Sequence, residues 1–204
     1  MRNRQITVAL LIIITISVFL SSCRTRKEYV PEIEKGILIG EVRWAAYNVD
    51  LPGMFVSNPE DAGMFFQWNR MTAWSTTDDE TEAWDYSTPI GNTWEAYNNP
   101  CPTGWRLPTG DELEALQKAG SEWTNRNGVY GRLFGTAPYQ IFLPAVGWRC
   151  GNDGLHDYAM TKGYYWSSTA SDDESAIYLW FNAEEAGVDW DWRADGFNVR
   201  CVVE

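Results

Sequence analysis

The chain has 204 residues, with 16 Lys+Arg against 28 Asp+Glu, one His, twelve Trp and ten Tyr, and a formal net charge of −12. An acidic surface of this kind repels nucleic-acid phosphates, which are held by clustered Lys and Arg, and so excludes a nucleic-acid partner. One histidine leaves little material for His-based catalysis or a His-rich metal centre, whereas the surplus of Trp and Tyr suits a large core or a recognition surface.

Residues 1–22 read as an export signal rather than as part of the fold. Arg2 and Arg4 make a basic start, Ile6 to Leu20 is an apolar run of 15 residues, and Ser21-Ser22 precede Cys23. A spanning helix needs about 20 apolar residues, so the run suits a signal peptide better than a membrane span. The small residues before Cys23 resemble a lipobox, in which the thiol takes a diacylglycerol and the chain is cut just before it. The expected membrane link is therefore covalent lipid, stabilised by about 0.8 kcal/mol per buried CH₂. Loss of Arg2 and Arg4 would leave 14 Lys+Arg against 28 Asp+Glu, a charge of −14. Residues 23–36 (RTRKEYVPEIEK within them) are charged and read as a tether. An outer-membrane lipoprotein, surface-exposed, is the expectation. The basic Arg24-Thr25-Arg26-Lys27 leaves the leaflet open.

Residues 37–204 form the expected domain. Ile37 to Trp44 starts it as a strand. Residues 50–100 are rich in Gly, Pro, Asn and Trp without a sustained period, and predict loops with one helical turn near Trp94 to Tyr97. A helix is predicted over 110–119. Thr109 and Glu112 make a capping box, Leu113, Leu116 and Ala119 an apolar stripe, and Gly120 the end. Strands are predicted at Ile141–Pro144, Tyr164–Thr169 and Ile177–Phe181, the last buried on both faces, and at Gly196–Val202, with Phe197, Val199 and Cys201 on one side. With Cys23 lipidated, an oxidising compartment leaves Cys101, Cys150 and Cys201 for one bridge and one leftover thiol. Spacing alone does not choose the pair.

Three motifs stand in order along this domain: Asn99-Pro100-Cys101-Pro102-Thr103-Gly104-Trp105-Arg106-Leu107-Pro108-Thr109, then Phe142-Leu143-Pro144-Ala145-Val146-Gly147 with Gly163-Tyr164-Tyr165-Trp166-Ser167-Ser168-Thr169, then Gly196-Phe197-Asn198-Val199-Arg200-Cys201-Val202. Together they resemble the Fibrobacter succinogenes major paralogous domain (FISUMP) found in bacterial surface lipoproteins, over about residues 37–203. The resemblance implies an α+β, C-type-lectin-like fold: small antiparallel sheets, two short helices, long loops, and N- and C-terminal strands lying together. It also implies a Cys101–Cys201 bridge, since both family motifs carry a Cys there. It names no ligand.

The most suggestive segment is Asp189-Trp190-Asp191-Trp192-Arg193. Alternation places Trp190 and Trp192 on one face and Asp189, Asp191 and Arg193 on the other, and flat aromatics beside acids suit a glycan or a protein ligand. Asp172 and Asp173 in the turn after Thr169, and Asn182 and Glu184 after Phe181, are expected to join them at one end of the domain. The alternative for the tryptophans is core filling, and for the acids a solvated loop. No cofactor is expected. Calcium is weighed because C-type lectins bind it. However, Arg193 and Val202 fall where Asp191–Gly196 would need ligands, and Asn152, Asp153 and Asp157 read better as a turn. No catalytic constellation is found around His156 or among the three cysteines. The expected function is thus a lipid-anchored binding or adhesion protein with its ligand on the C-terminal loops. The alternatives are a structural surface-layer or pilus-like assembly lipoprotein, a retroelement-diversified binder varying at residues 178–195, and a polysaccharide hydrolase needing two carboxylates 5–10 Å apart in a cleft. Trp190 and Trp192 are hard to reach by adenine-directed mutation, which weighs against the diversified binder.

Overall fold

The computed structural model describes residues 36–77 and 83–204. The signal peptide expected at 1–22, the lipid-bearing Cys23 and the tether up to residue 35 lie outside the described residues. The strands are β1 (Ile37–Ile39), β2 (Val42–Trp44), β3 (Phe65–Gln67), β4 (Ala73–Trp74) and β5 (Trp105–Arg106). Helix α1 (Gly110–Lys118) follows, then β6 (Ser121–Arg126), β7 (Val129–Thr136), β8 (Tyr139–Pro144), β9 (Trp148–Arg149) and β10 (His156–Asp157). The last five are β11 (Gly163–Ala170), β12 (Ser175–Phe181), β13 (Ala186–Trp192), β14 (Gly196–Phe197) and β15 (Val202–Val203).

They assemble into four small sheets, in the orders β1-β2-β15-β5, β10-β9-β14-β3-β4, β11-β12-β13 and β6-β7-β8. The paired strands run antiparallel, and isolated parallel bridges at Gly147–Gly163 and Tyr165–Asn198 tie one sheet to the next. The arrangement is sheet-rich α+β, as the sequence predicts. Among the described residues it holds one α-helix rather than two. The second helical element is a single 3-10 turn at Ala96–Asn98, beside the turn expected at 94–97.

Helix α1 forms where its caps dictate. The Glu112 amide donates to Thr109 Oγ1 (3.2 Å) and the Thr109 amide to Glu112 Oε2 (2.7 Å). Arg106 then grips the same Glu112 with two nitrogens, at 2.8 and 2.7 Å. Gly120 follows at φ 86, a left-handed turn that a Cβ would strain. Leu113 and Leu116 are buried in a core cluster with Phe134, Tyr165, Leu179 and Phe181. Gly110 brings the helix N-terminus close to β12: a Cβ there would stand 3.1 Å from the Ile177 side chain.

The run 196–202 is not the continuous alternating strand predicted. It is split into β14 and β15, and residues 198–201 thread between sheets. The Ala45 amide donates to the Cys201 carbonyl and the Val49 amide to the Val199 carbonyl. Covered on both faces, its polar side chains are buried with its apolar ones. Arg200 donates to Asn48 Oδ1 (2.7 and 3.0 Å) and to the Ala45 (3.1 Å) and Phe142 (3.0 Å) carbonyls. Burial lowers its pKa to about 10. Cys101 and Cys201 are disulfide-bonded across 100 residues with Cα atoms 6.1 Å apart, and Cys150 is the free thiol.

Candidate functional site

The segment singled out in the sequence is mostly strand. In β13, Trp192 lies opposite Ser175 and Trp190 opposite Ile177, whereas Asp191 lies opposite Ala176 and Asp189 opposite Tyr178. Because side chains alternate along a strand, the tryptophans share the sheet face of Ile177, and the aspartates share the face of Tyr178. Trp190 is 56 % exposed and Trp192 49 % exposed, so neither is filling the core.

Arg193 departs from the expectation. It follows the last residue of β13, is 1 % exposed, and has its guanidinium 4.3 Å from the Trp68 ring centre. Its nitrogens donate to the carbonyls of Ser175 (3.2 Å), Pro89 (3.3 Å), Gly91 (2.8 Å) and Asp172. It is a structural cation that ties the loop at 89–91 to the β11–β12 turn, and it is not on a ligand surface.

The expected clustering of the acidic turns does not occur. Asp172 and Asp173 lie in the β11–β12 turn beside Trp192, whereas Asn182 and Glu184 lie in the β12–β13 turn at the far end of β13. Seven strand residues separate the two ends by roughly 20 Å. Asp172 Oδ1 accepts the amides of Glu174 (2.9 Å) and Ser175 (2.7 Å), the first of which chiefly holds its carboxyl below the ordinary range. Asn182 Oδ1 accepts the amides of Glu184 (2.7 Å) and Glu185 (2.9 Å). Both side chains make their own turns, a local use of Asx residues that spacing does not separate from ligand binding.

Around Trp192 the chain builds a cleft of about 220 Å³ lined by Tyr86, Thr88, Asn152, Glu174, Trp192 and the backbone at Gly151 and Ala194. Tyr86 is 55 % exposed, so the cleft lining carries two exposed aromatics together with a hydroxyl, an amide and a carboxylate. Tyr86, Thr88 and Glu174 escape sequence reasoning because they come from aperiodic loops. The faint signal was Trp84-Asp85-Tyr86 standing in a Thr/Ser/Asp stretch.

A carboxyl pair underlies this cleft. Asp195 is 1 % exposed, its Oδ1 accepts the Gly151 amide at 2.6 Å, and it hydrogen-bonds Asp191. Burial raises both pKa values, and the negative charge of each opposes ionisation of the other or of a neighbour, so that Asp195 is pushed up to about 8. Burial also lifts Tyr164 and Tyr178 above the phenol range, helped by the Asp191 charge. The pair therefore holds a proton at neutral pH and fixes Gly151 at the cleft edge.

The other candidates are structural. His156 Nε2 bonds the Val146 carbonyl (2.7 Å) and its ring packs edge-on to Phe65. Asp153 Oδ1 accepts the Leu155 amide (2.9 Å), closing the turn predicted there. Burial raises the Cys150 thiol, which keeps it protonated near neutrality. Among the described residues no group of three or more His, Cys, Asp or Glu stands where it could hold a metal ion.

A family model described as a domain of unknown function (DUF8237) matches residues 121–202, from the start of β6 to the first residue of β15. The match includes β13 and Trp192 but not Tyr86 or Thr88. No curated protein and no solved structure matches the chain.

Proposed function

We propose that this chain is a lipid-anchored protein of the bacterial cell envelope, tethered through Cys23, whose domain is a C-type-lectin-like head that binds glycans. The lipobox-like Leu20-Ser21-Ser22-Cys23 supports the anchor. The pairing of β2 with β15, which brings the N- and C-terminal strands together, supports the fold reading. The observation that carries the function is the cleft between Tyr86 and Trp192. Exposed aromatic faces stack on the C–H faces of a pyranose, while Thr88, Asn152 and Glu174 provide acceptors and donors for vicinal hydroxyls. The cleft holds about one sugar ring. Among the described lining residues the charged one is Glu174, which favours neutral or cationic sugars.

The experiment is a glycan array probed with the full chain in detergent micelles, for wild type, Trp192→Ala and Tyr86→Ala. Wild type is expected to bind neutral or amino sugars. Each variant is expected to lose about tenfold or more in affinity, the ~1.4 kcal/mol of a contact residue at the centre of a small site. A folded Trp192→Ala protein that binds the same glycans equally well would remove this site.

A further inference from the structure

A larger concavity lies elsewhere in the domain and has no part in the cleft. It is an open groove of about 900 Å³ bordered by Gly36, Leu38, Arg43, Ala119, Pro138 and Tyr139, mostly apolar in its walls. Leu38 is 41 % exposed and Tyr139 62 % exposed, on the edge strand β1 and at the start of the edge strand β8. Among the described residues lining this groove, the charged one is Arg43, which donates to the Gly36 carbonyl (3.2 Å). The groove also opens at Gly36, the first residue after the stretch that leads to Cys23.

We infer that this groove is the face by which the domain rests on a phospholipid bilayer. The inference rests on the lipid-anchor reading above. Twelve residues, 24–35, separate Cys23 from Gly36 and reach at most about 40 Å, so an anchored chain keeps the groove within that distance of the bilayer. Confinement of this kind raises the effective concentration and lets a weak surface engage. Leu38 and Pro138 supply apolar area. Tyr139 has the apolar ring and polar tip that settle at the headgroup level. Exposed apolar area beside the residue where the tether joins the domain sets this face apart from the others.

The topology gives docking a consequence. Helix α1 runs from Gly110, against Ile177, to Ala119 at the groove, and Gln117 Nε2 donates to the Ala186 carbonyl (3.2 Å) at the start of β13. Trp192 ends β13. The groove and the aromatic cleft therefore lie toward opposite ends of the same strand, roughly 20 Å apart along it. A domain resting on the groove presents the cleft outward.

The test uses the full chain purified from membranes and reconstituted in vesicles of phosphatidylcholine with a minor share of phosphatidylglycerol. Flotation reports the anchor, and backbone hydrogen exchange reports docking. For wild type against Leu38→Glu/Tyr139→Glu, both are expected to float. The amides of residues 37–43 and 136–140 are expected to exchange roughly tenfold faster in the variant, while those of β11–β13 stay equal and show the fold intact. Equal exchange at 37–43 in floating samples overturns docking and leaves the anchor standing. Protection that grows with protein density at fixed lipid overturns it in favour of a second copy of the chain. A wild type that does not float removes both.

Discussion

Replacing Asp195 by Asn tests the buried carboxyl pair that holds the cleft edge. In the folded chain Asp195 titrates at about 8, against 3.8 for an ordinary Asp. A raised folded pKa means that the native state binds the proton more tightly than the unfolded state does. Its stabilising contribution is complete below pH 4 and is lost as pH rises from 4 to 8. About four pKa units at 1.36 kcal/mol each set an upper limit on the order of 5 kcal/mol across that window. Asp85, Glu112 and Asp172, all shifted downward, are largely ionised in both states above pH 5 and add little slope there, whereas Asp191, also raised by burial, adds slope of the same sign in both proteins. Asn at 195 keeps an acceptor for the Gly151 amide and offers a donor to Asp191, with no proton to lose. Urea unfolding at pH 5, 6.5 and 8 would be run on both proteins. Wild type should lose stability relative to Asp195→Asn by several kcal/mol between the lowest and highest pH. Parallel pH profiles for the two proteins would refute the shared proton.

Reduction of the Cys101–Cys201 bridge, or Cys101→Ser/Cys201→Ser, should lower stability by up to about 4.7 kcal/mol, read as a fall in thermal midpoint. Arg200→Met strips the donors from Asn48 Oδ1 and from the buried Ala45 and Phe142 carbonyls, and should cost about 3 kcal/mol or more in urea unfolding. Thr109→Ala removes the cap of α1 but leaves Glu112 bound to Arg106, so a loss of about 1 kcal/mol is expected in the same assay.

What the sequence discloses follows the range of the forces. Helix α1 was legible to the residue at its start because Thr109, Glu112 and Gly120 act locally. Strands β11 and β12 showed as runs of strand formers. The β6–β7 hairpin was not legible: Ser121–Arg126 is polar, with Glu122, Asn125 and Arg126 exposed, so no apolar alternation marks it. The alternation of Trp190 and Trp192 against Asp189 and Asp191 was readable from a period of two. The burial of Arg193 was not, because it depends on carbonyls up to about a hundred residues away, at Pro89 and Gly91. The same holds for the cleft: Tyr86 and Trp192 line it together from segments about a hundred residues apart. Asn182 and Glu184 were placed with Trp192 because sequence distance hid that a hairpin sends its two turns to opposite ends.

The central claim is that a sugar sits between Tyr86 and Trp192, and the indole Nε1–H resonances of the full chain, followed while a glycan bound on the array is titrated in, test it most directly. The account predicts that the Trp192 signal shifts and saturates, while the signals of buried Trp68 and Trp166, bonded to the Ser167 and Phe66 carbonyls, stay fixed. Saturable binding with the Trp192 resonance unmoved would contradict it.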